Sequence, residues 1–251
     1  AWYQKKVTVP DNWKGERIVL FLERPHIETT VWINHREVGM RNSLCVPHVY
    51  DLTSYVTPGK SSLVTIRVDN RIKEINVGPD SHSIQTQGNW NGIVGKIELQ
   101  STPEVFFEDI QVYPDLAGKK VLVRMNVWAS SSAKGEIALS ARSFNTNVNH
   151  EIAPVYQTVI VRKGDNPLEM ELPMGQNYLT WDEFSPALYR LTATLKNGKQ
   201  IETKQVQFGM REFTIDGKWF YVNGRKTMLR GTVENCDFPL TGYAPMDVAS
   251  W

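Results

Sequence analysis

Short runs in which apolar and polar residues alternate occupy most of this chain. In residues 63–69, for example, Val64, Ile66 and Val68 alternate with polar side chains. Successive side chains of a strand point to opposite faces of a sheet, so this period of two predicts half-buried antiparallel strands. Residues 2–101 show no helical period of 3.6 residues. The pattern therefore predicts an all-β protein.

The predicted strands fall into two groups, separated by the break at Thr102-Pro103-Glu104. The first group comprises residues 2–9, 17–22, 27–34, 45–52, 63–69 and 93–99. The second group comprises residues 109–113, 121–128, 136–144, 156–162, 168–172, 189–195 and 200–208. The seven short strands of the second group, separated by turn residues, are typical of an immunoglobulin-like sandwich. No Cys-Trp-Cys spacing marks that group as an antibody-type domain.

Residues 208–231 contain two tight-turn dipeptides, Asp216-Gly217 and Asn223-Gly224, each between short apolar or aromatic runs. Such dipeptides favour two-residue hairpin loops in which both residues have φ > 0. We therefore predict a double hairpin that connects two finished β domains to a third that has barely begun. The predicted domain bounds are 1–103, 104–209 and 210–251.

The composition excludes several classes of function. Of the 251 residues 41% are hydrophobic and the formal net charge is +1, which is a soluble globular composition. Scattered Lys and Arg with a net charge near zero argue against nucleic acid or an anionic membrane as a partner. No run of about eighteen apolar residues and no signal peptide is visible. The histidines are dispersed and nucleotide-binding motifs are absent from the sequence, so neither a metal nor a cofactor is expected.

Several short motifs follow one another along the chain. They are Val31-Trp32-Ile33-Asn34, Val38-Gly39, Tyr50-Asp51-Leu52-Thr53, Pro58-Gly59, Val68-Asp69-Asn70, the run from Asn91 to Leu99, Trp181 with Ser185-Pro186-Ala187-Leu188-Tyr189, Phe208-Gly209-Met210-Arg211-Glu212-Phe213, and Leu229-Arg230-Gly231. In order and spacing they resemble glycoside hydrolase family 2, which includes β-galactosidases, β-glucuronidases and β-mannosidases. The resemblance covers the whole chain. It implies a sugar-binding jelly-roll domain, an immunoglobulin-like sandwich and the first strand of a (β/α)8 catalytic barrel.

The resemblance also implies retaining hydrolysis of O-glycosidic bonds by two glutamates, one after the fourth barrel strand and one after the seventh. In that chemistry one carboxyl protonates the leaving oxygen while the other attacks the anomeric carbon from about 5 Å away. A barrel needs about 250 residues, whereas 20 residues follow Gly231. We therefore expect no catalytic residue in this chain and no glycosidase activity from it alone.

The partners implied by the resemblance are a carbohydrate substrate and the chain's own catalytic barrel. Family members that degrade polysaccharides are often exported, which favours a periplasmic or secreted location. Two other functions stay open. One is a stand-alone carbohydrate-binding module, which would expose an aromatic platform on its first domain, and the other is a structural pair of β-sandwiches without either activity.

The first candidate sugar contacts follow the predicted barrel strand at residues 227–230. They are Glu234, Asn235 and Asp237, because active sites of such barrels form at the C-terminal ends of the strands. β-Galactosidases of the family usually carry Arg-His-Glu at this point, and Asn235 takes the position of that histidine, which argues against a simple β-galactosidase. The alternative is that these polar residues only cap the strand and the following turn.

The second candidate contacts are Asn89, Trp90 and Asn91, which lie ahead of the predicted strand at 93–99. The family's first domain sends a loop from this point toward the barrel mouth. A Trp between amides suits a sugar, because the ring stacks on the apolar sugar face while the amides bind hydroxyls. The alternative is a Trp that closes the sandwich core, with the asparagines in turns. Three further tryptophans fall in predicted strands and are expected in the core: Trp32, Trp128 and Trp219.

Overall fold

The computed structural model describes residues 1–43, 46–71 and 91–232, together with Asp247 and Ala249. Apart from short 3-10 segments such as Asp11–Trp13, the regular elements of these residues are strands. No helix within the described ranges is long and apolar enough to cross a membrane. The chain forms one compact unit from Ala1–Pro103 and another from Glu104–Gly231. The predicted all-β fold is confirmed.

Seven strands build the first unit. They are β1 (Trp2–Thr8), β2 (Arg17–His26), β3 (Glu28–Ile33), β4 (Arg36–Asn42), β5 (His48–Asp51), β6 (Ser61–Asp69) and β7 (Gly92–Thr102). One antiparallel sheet has the order β1-β6-β3-β4 and the other has the order β5-β2-β7. Buried side chains from both sheets, such as Val31 and Leu22, form one apolar cluster. The unit is therefore a two-sheet sandwich.

The alternation of apolar and polar residues in β6 correctly predicts which of its side chains are buried. Val64, Ile66 and Val68 are buried, and the residues between them are half-buried. Strand β4 was not predicted from the sequence. It pairs only with β3 at the edge of its sheet and most of its side chains are exposed, so it carries no apolar alternation.

The second unit contains a second sandwich. Its strands are β8 (Val105–Asp115), β9 (Lys120–Ala129), β10 (Ala133–Ser143), β11 (Glu151–Val161), β12 (Gly164–Pro173), β13 (Tyr189–Asn197) and β14 (Gln200–Phe208). The sheets have the orders β11-β10-β13-β14 and β12-β9-β8. Each strand coincides with one predicted from the sequence. On β13, Tyr189, Leu191 and Ala193 are fully buried, as their alternation with polar residues predicts.

The predicted double hairpin is present as a small third sheet. It consists of β15 (Phe213–Asp216), β16 (Trp219–Val222) and β17 (Arg225–Thr227), all antiparallel. Its second loop is Asn223-Gly224, with φ of 51° and 75°, as predicted. Its first loop is Gly217-Lys218, one residue later than predicted, because Asp216 pairs with Trp219. Gly217 has a φ of 56° and stands first in the loop, where a type II′ turn places glycine.

Two further expectations differ from the structure. The strand predicted at 227–230 ends at Thr227, and Met228 and Leu229 are 75% and 64% exposed. A strand of a parallel barrel is hydrogen-bonded on both sides, and the described residues supply no such neighbours here. Trp219 is 37% exposed and does not belong to a core, because it begins a strand of the small third sheet. Trp32 and Trp128 are half-buried.

Candidate functional site

Of the six residues predicted to contact sugar, the structure describes Asn91. Its side chain is exposed and it directly precedes β7. The other five lie outside the described residues: Asn89, Trp90, Glu234, Asn235 and Asp237. Their roles stay predictions.

Asn91 is joined to Asn70 by a hydrogen bond between the two side-chain amides. Nδ2 of Asn70 donates to Oδ1 of Asn91. Asn70 directly follows β6, so the bond connects the end of one sheet to the start of the other within the first sandwich. Each amide has both a donor and an acceptor. The bond uses one atom of each, so Oδ1 of Asn70 and Nδ2 of Asn91 can serve other polar groups, such as sugar hydroxyls.

Asp69, which directly precedes Asn70, and its cross-strand partner Glu28 on β3 are both bound by arginines. Arg71 donates to Asp69 through its backbone amide and its guanidinium, with Nη2 2.7 Å from Oδ2. Arg67 reaches Oε1 of Glu28 at 2.9 Å and Oγ1 of Thr30 at 3.1 Å. Both carboxylates are therefore engaged by arginine side chains, and the candidate sugar contacts described at this end of the sandwich are the amides of Asn70 and Asn91.

A buried polar network lies in the same unit. Oγ1 of Thr29 is 2.6 Å from Nδ1 of His48 and 2.6 Å from the hydroxyl of Tyr50. Nε2 of His48 lies 2.9 Å from Oγ of Ser43. Burial lowers the pKa of His48 and raises the pKa of Tyr50. Both side chains are therefore held neutral near pH 7, which suits a structural network.

The described ranges contain no group of three or more His, Cys, Asp or Glu that could hold a metal ion. Sequence reasoning did not single out Asn70 as a site residue, although Val68-Asp69-Asn70 was among the motifs. The sequence did contain a signal, because the amide of Asn70 directly follows a predicted strand and stands at the edge of the long polar stretch between residues 71 and 92. That Asn91, at the other end of this polar stretch, is its hydrogen-bond partner is seen only in the structure.

The small sheet β15–β17 is the second candidate surface. Cross-strand pairing places Phe213 and Ile215 on one face with Phe220, and Trp219 on the other face. Phe213 and Ile215 are 48% and 65% exposed, and the rings of Phe213 and Phe220 are 5.4 Å apart. The ammonium of Lys226 lies over the ring of Trp219, with Nζ 3.1 Å from the ring centroid. The sheet thus presents apolar side chains on both faces.

Asn223 attaches this sheet to the second sandwich. Its side chain accepts from the backbone of Glu212 and donates to the carbonyl of Trp181, both at 2.9 Å. Trp181 also packs on Gly209, where an added Cβ would lie 2.7 Å from that of Trp181. The motif residues Trp181 and Gly209 therefore fit each other as a structural pair.

Tyr189, the last residue of the Ser-Pro-Ala-Leu-Tyr motif, is also structural. It is fully buried, and its hydroxyl accepts from the backbone of Leu179 at 2.8 Å and lies 2.7 Å from Nδ1 of His150. Its ring stacks on Phe208 with centroids 5.4 Å apart. The aromatic motif residues of this unit therefore hold the sandwich together near its connection to β15.

Comparison with known families agrees with this arrangement. The model for the sugar-binding domain of glycosyl hydrolases family 2 matches residues 1–103, and a second model of glycosyl hydrolases family 2 matches residues 105–211. The chain belongs to glycosyl hydrolases family 2. The resemblance inferred from its motifs is thereby confirmed.

Relatives of this family 2 chain are named as glycosidases. A β-glucuronidase of Paenibacillus borealis is 24% identical over 96% of the chain, and the match covers 41% of that protein. A β-galactosidase of Thermoanaerobacter pseudethanolicus is 25% identical over 98% of the chain and 33% of its own length. A crystal structure of a Bacteroides uniformis β-glucuronidase has a TM-score of 0.77 at 21% identity, covering 92% of this chain and 28% of that one. The family 2 chain spans less than half the length of these relatives and resembles the N-terminal domains of family 2 glycosidases.

Proposed function

We propose that this chain is the N-terminal, non-catalytic portion of a retaining family 2 glycosidase that hydrolyses O-glycosidic bonds in carbohydrates. Its two sandwiches support a catalytic barrel, and the first sandwich contributes a loop to the sugar pocket. The single observation that carries the proposal is the sheet β15–β17 with apolar side chains on both faces.

If one face of this small sheet lay against water, that face would carry polar side chains and only the other face would be apolar. Here Phe213 and Ile215 are exposed on one face, and Trp219 is partly exposed on the other. Contiguous exposed apolar surface of this kind marks a place where another protein surface docks. The proposed occupant is the catalytic barrel, for which this sheet would form a floor.

The substrate class proposed is a β-linked glycoside, since the relatives are named β-glucuronidases and β-galactosidases. Asn91, through the amide atoms that its bond to Asn70 does not use, would bind a sugar hydroxyl at one wall of the pocket. Asn89 and Trp90 would extend that wall. Glu234, Asn235 and Asp237 would contact the sugar from the end of the first barrel strand.

An activity assay on the purified chain tests this proposal. We expect no hydrolysis of 4-nitrophenyl β-D-glucuronide or 4-nitrophenyl β-D-galactoside, because retaining hydrolysis needs two carboxyls about 5 Å apart across the bond. A full-length family 2 β-glucuronidase, assayed in parallel, serves as the positive control. Turnover by the chain that Glu234→Gln or Asp237→Asn abolishes would overturn the proposal.

One observation favours a carbohydrate-binding module as a second candidate. Trp2 is 66% exposed and its ring stacks on that of Trp32, with centroids 5.6 Å apart, on the outer face of the sheet β1-β6-β3-β4. Calorimetric titration with lactose and galactose distinguishes the two. Tight binding that Trp2→Ala removes would favour the module over our proposal.

A further inference from the structure

Two arginines face each other directly on the outer surface of the second sandwich. Arg142 on β10 is the cross-strand partner of Arg190 on β13. Like charges in directly opposite positions destabilise a pair of strands. Among the described residues neither arginine forms an ion pair, and Glu151, opposite Arg142 on β11, does not form one with it. Neither guanidinium is therefore held in a direct ion pair by a described side chain, and the carboxylate closest in register is that of Glu151, on the strand next to Arg142.

Both arginines line a pocket of about 440 Å³. The other polar side chains around it carry amides or hydroxyls, namely Ser143, Thr146, Asn147, Asn149, Thr192 and Gln205. No Asp or Glu belongs to the described residues that line the pocket. Its chemistry is thus that of hydrogen-bond donors around two fixed positive charges, which suits an oxyanion.

Both arginines are oriented by neighbours that do not use up their donors. The guanidinium of Arg190 lies over the ring of Phe144, 4.7 Å from the centroid. Nε of Arg142 donates to Oδ1 of Asn149 at 3.3 Å. A guanidinium has five N–H donors, so the terminal nitrogens of both side chains can still bind a ligand. Orientation in advance lowers the entropy that binding costs.

The loop that forms the rim of the pocket is held in place by its own hydrogen bonds. Asn145 donates to the carbonyl of Pro186 and accepts from the backbone of Leu188, both at 2.7 Å. Oγ of Ser143 donates to the carbonyl of Val148 at 2.8 Å. These bonds fix residues 143–148 between β10 and β11, so the pocket has a defined shape.

Phe144 adds an apolar surface beside the charges. Phe144 lines the pocket, and the residue as a whole is 38% exposed. One face of its ring lies under the guanidinium of Arg190, so the apolar C–H face of a sugar ring would stack on the other face. A ligand that combines a pyranose with an anionic substituent would therefore use both parts of the pocket.

We propose that this pocket on the second sandwich binds an acidic saccharide, through a carboxylate or sulfate group held between Arg142 and Arg190. The anion part of the proposal depends only on the pocket. The saccharide part rests on the proposed function in carbohydrate hydrolysis. A site of this kind lies on a non-catalytic domain, so it would hold an acidic polymer or product and take no part in bond cleavage.

Isothermal titration calorimetry of the full chain with sodium glucuronate, glucose 6-sulfate, glucose and sodium sulfate tests the proposal. We expect both acidic sugars to bind more tightly than glucose and than inorganic sulfate. Arg142→Gln and Arg190→Gln should each weaken binding about tenfold or more, because each removes a charge-assisted hydrogen bond. Arg162→Gln, which changes an exposed arginine elsewhere in the unit, is the matched control and should bind as the unsubstituted chain does.

The remaining outcomes decide between the two parts. Equal affinity for inorganic sulfate and for the acidic sugars, lost in both arginine variants, would overturn the saccharide part and retain the anion part. Binding unaffected by either variant, or no binding of any anion, would overturn the whole proposal. Near-ultraviolet circular dichroism of each variant shows that it remains folded. The hydrolysis assay for the proposed function is independent of all these results.

Discussion

At the scale of single residues, side chains of β14 close the open edge of the sheet β12-β9-β8. Nε2 of Gln200 donates to the carbonyl of Val105 at 2.6 Å, and the backbone amide of Phe107 donates to Oε2 of Glu202 at 2.8 Å. Lys204 donates to the carbonyl of Phe107. An edge strand leaves backbone groups without a ladder partner. These three side chains satisfy such groups on β8 and thereby join the two sheets.

We expect Glu202→Leu to lower the free energy of unfolding by about 1–3 kcal/mol, because the amide of Phe107 would lose its acceptor in a partly buried position. Glu202→Gln keeps an acceptor oxygen and should cost clearly less. Urea unfolding followed by circular dichroism measures both. Gln207→Leu, at an exposed position of the same strand, is the control. Equal losses for the Leu and Gln variants would show that the hydrogen bond to Phe107 contributes nothing.

At the scale of elements, the sheet β15–β17 depends on its second turn. The loop Asn223-Gly224 needs positive φ at both residues, and Asn and Gly adopt that conformation most readily. Asn223 has a second task, because its side chain bridges Glu212 and Trp181. One residue thus sets both the turn and the attachment of the sheet to the sandwich.

We expect Asn223→Gly to keep the turn and lose the attachment, since glycine accepts the same φ but has no amide side chain. The free energy of local opening of β15–β17 should fall by about 1–2 kcal/mol for the lost hydrogen bonds. Hydrogen exchange would show this as faster exchange of Tyr221 and the other sheet amides, with β9 as the internal control. Asn223→Ala should exchange faster still, because it adds backbone strain. Unchanged exchange in the glycine variant would mean that the side-chain bridge does not hold the sheet.

At the scale of the whole molecule, each sandwich has its own buried core. Titrating groups in both sandwiches make the free energy of unfolding depend on pH. Burial lowers the pKa of His48. Burial raises the pKa of Asp51, but hydrogen bonds from Thr53 and Arg17 outweigh it and the net shift is downward. Burial raises the pKa of Glu202. The first two groups bind protons less readily in the native state, and Glu202 binds them more readily.

We expect the free energy of unfolding to fall as the pH drops below about 6.5, because there the unfolded chain takes up a proton on His48 that the native chain does not. One such proton gives a slope of at most about 1.4 kcal/mol per pH unit. A second decline, from Asp51, should begin below about pH 4, partly offset by Glu202.

Urea unfolding at a series of pH values between 7.5 and 5 measures the slope. His48→Asn should flatten it, whereas His35→Asn, at an exposed turn with positive φ that Asn tolerates, should leave it unchanged. A slope that survives in His48→Asn would assign the pH dependence to another group.

The candidate site was accessible to sequence reasoning only in part. Asn91 was predicted, and its exposed position ahead of β7 fits a polar contact. Its bond to Asn70 was not predicted, because the two residues are separated by a long polar interruption and nothing local indicates that they meet. The opposition of Arg142 and Arg190 depends likewise on the pairing register of two strands, which separate periodic runs do not specify.

The local features of this protein follow from its sequence alone. Alternation of apolar and polar residues predicts where β6 and β13 run and which of their side chains are buried, because a strand turns each side chain to the opposite face from its neighbours. Which strands pair, and what lies at their edges, depends on contacts that the folded chain alone brings together. Strand β4 forms because its backbone pairs with that of β3. Trp219 is exposed because none of the described elements packs over its face of the small sheet. Pairing and burial are sums over contacts between residues far apart in the chain, and no single stretch of sequence contains them.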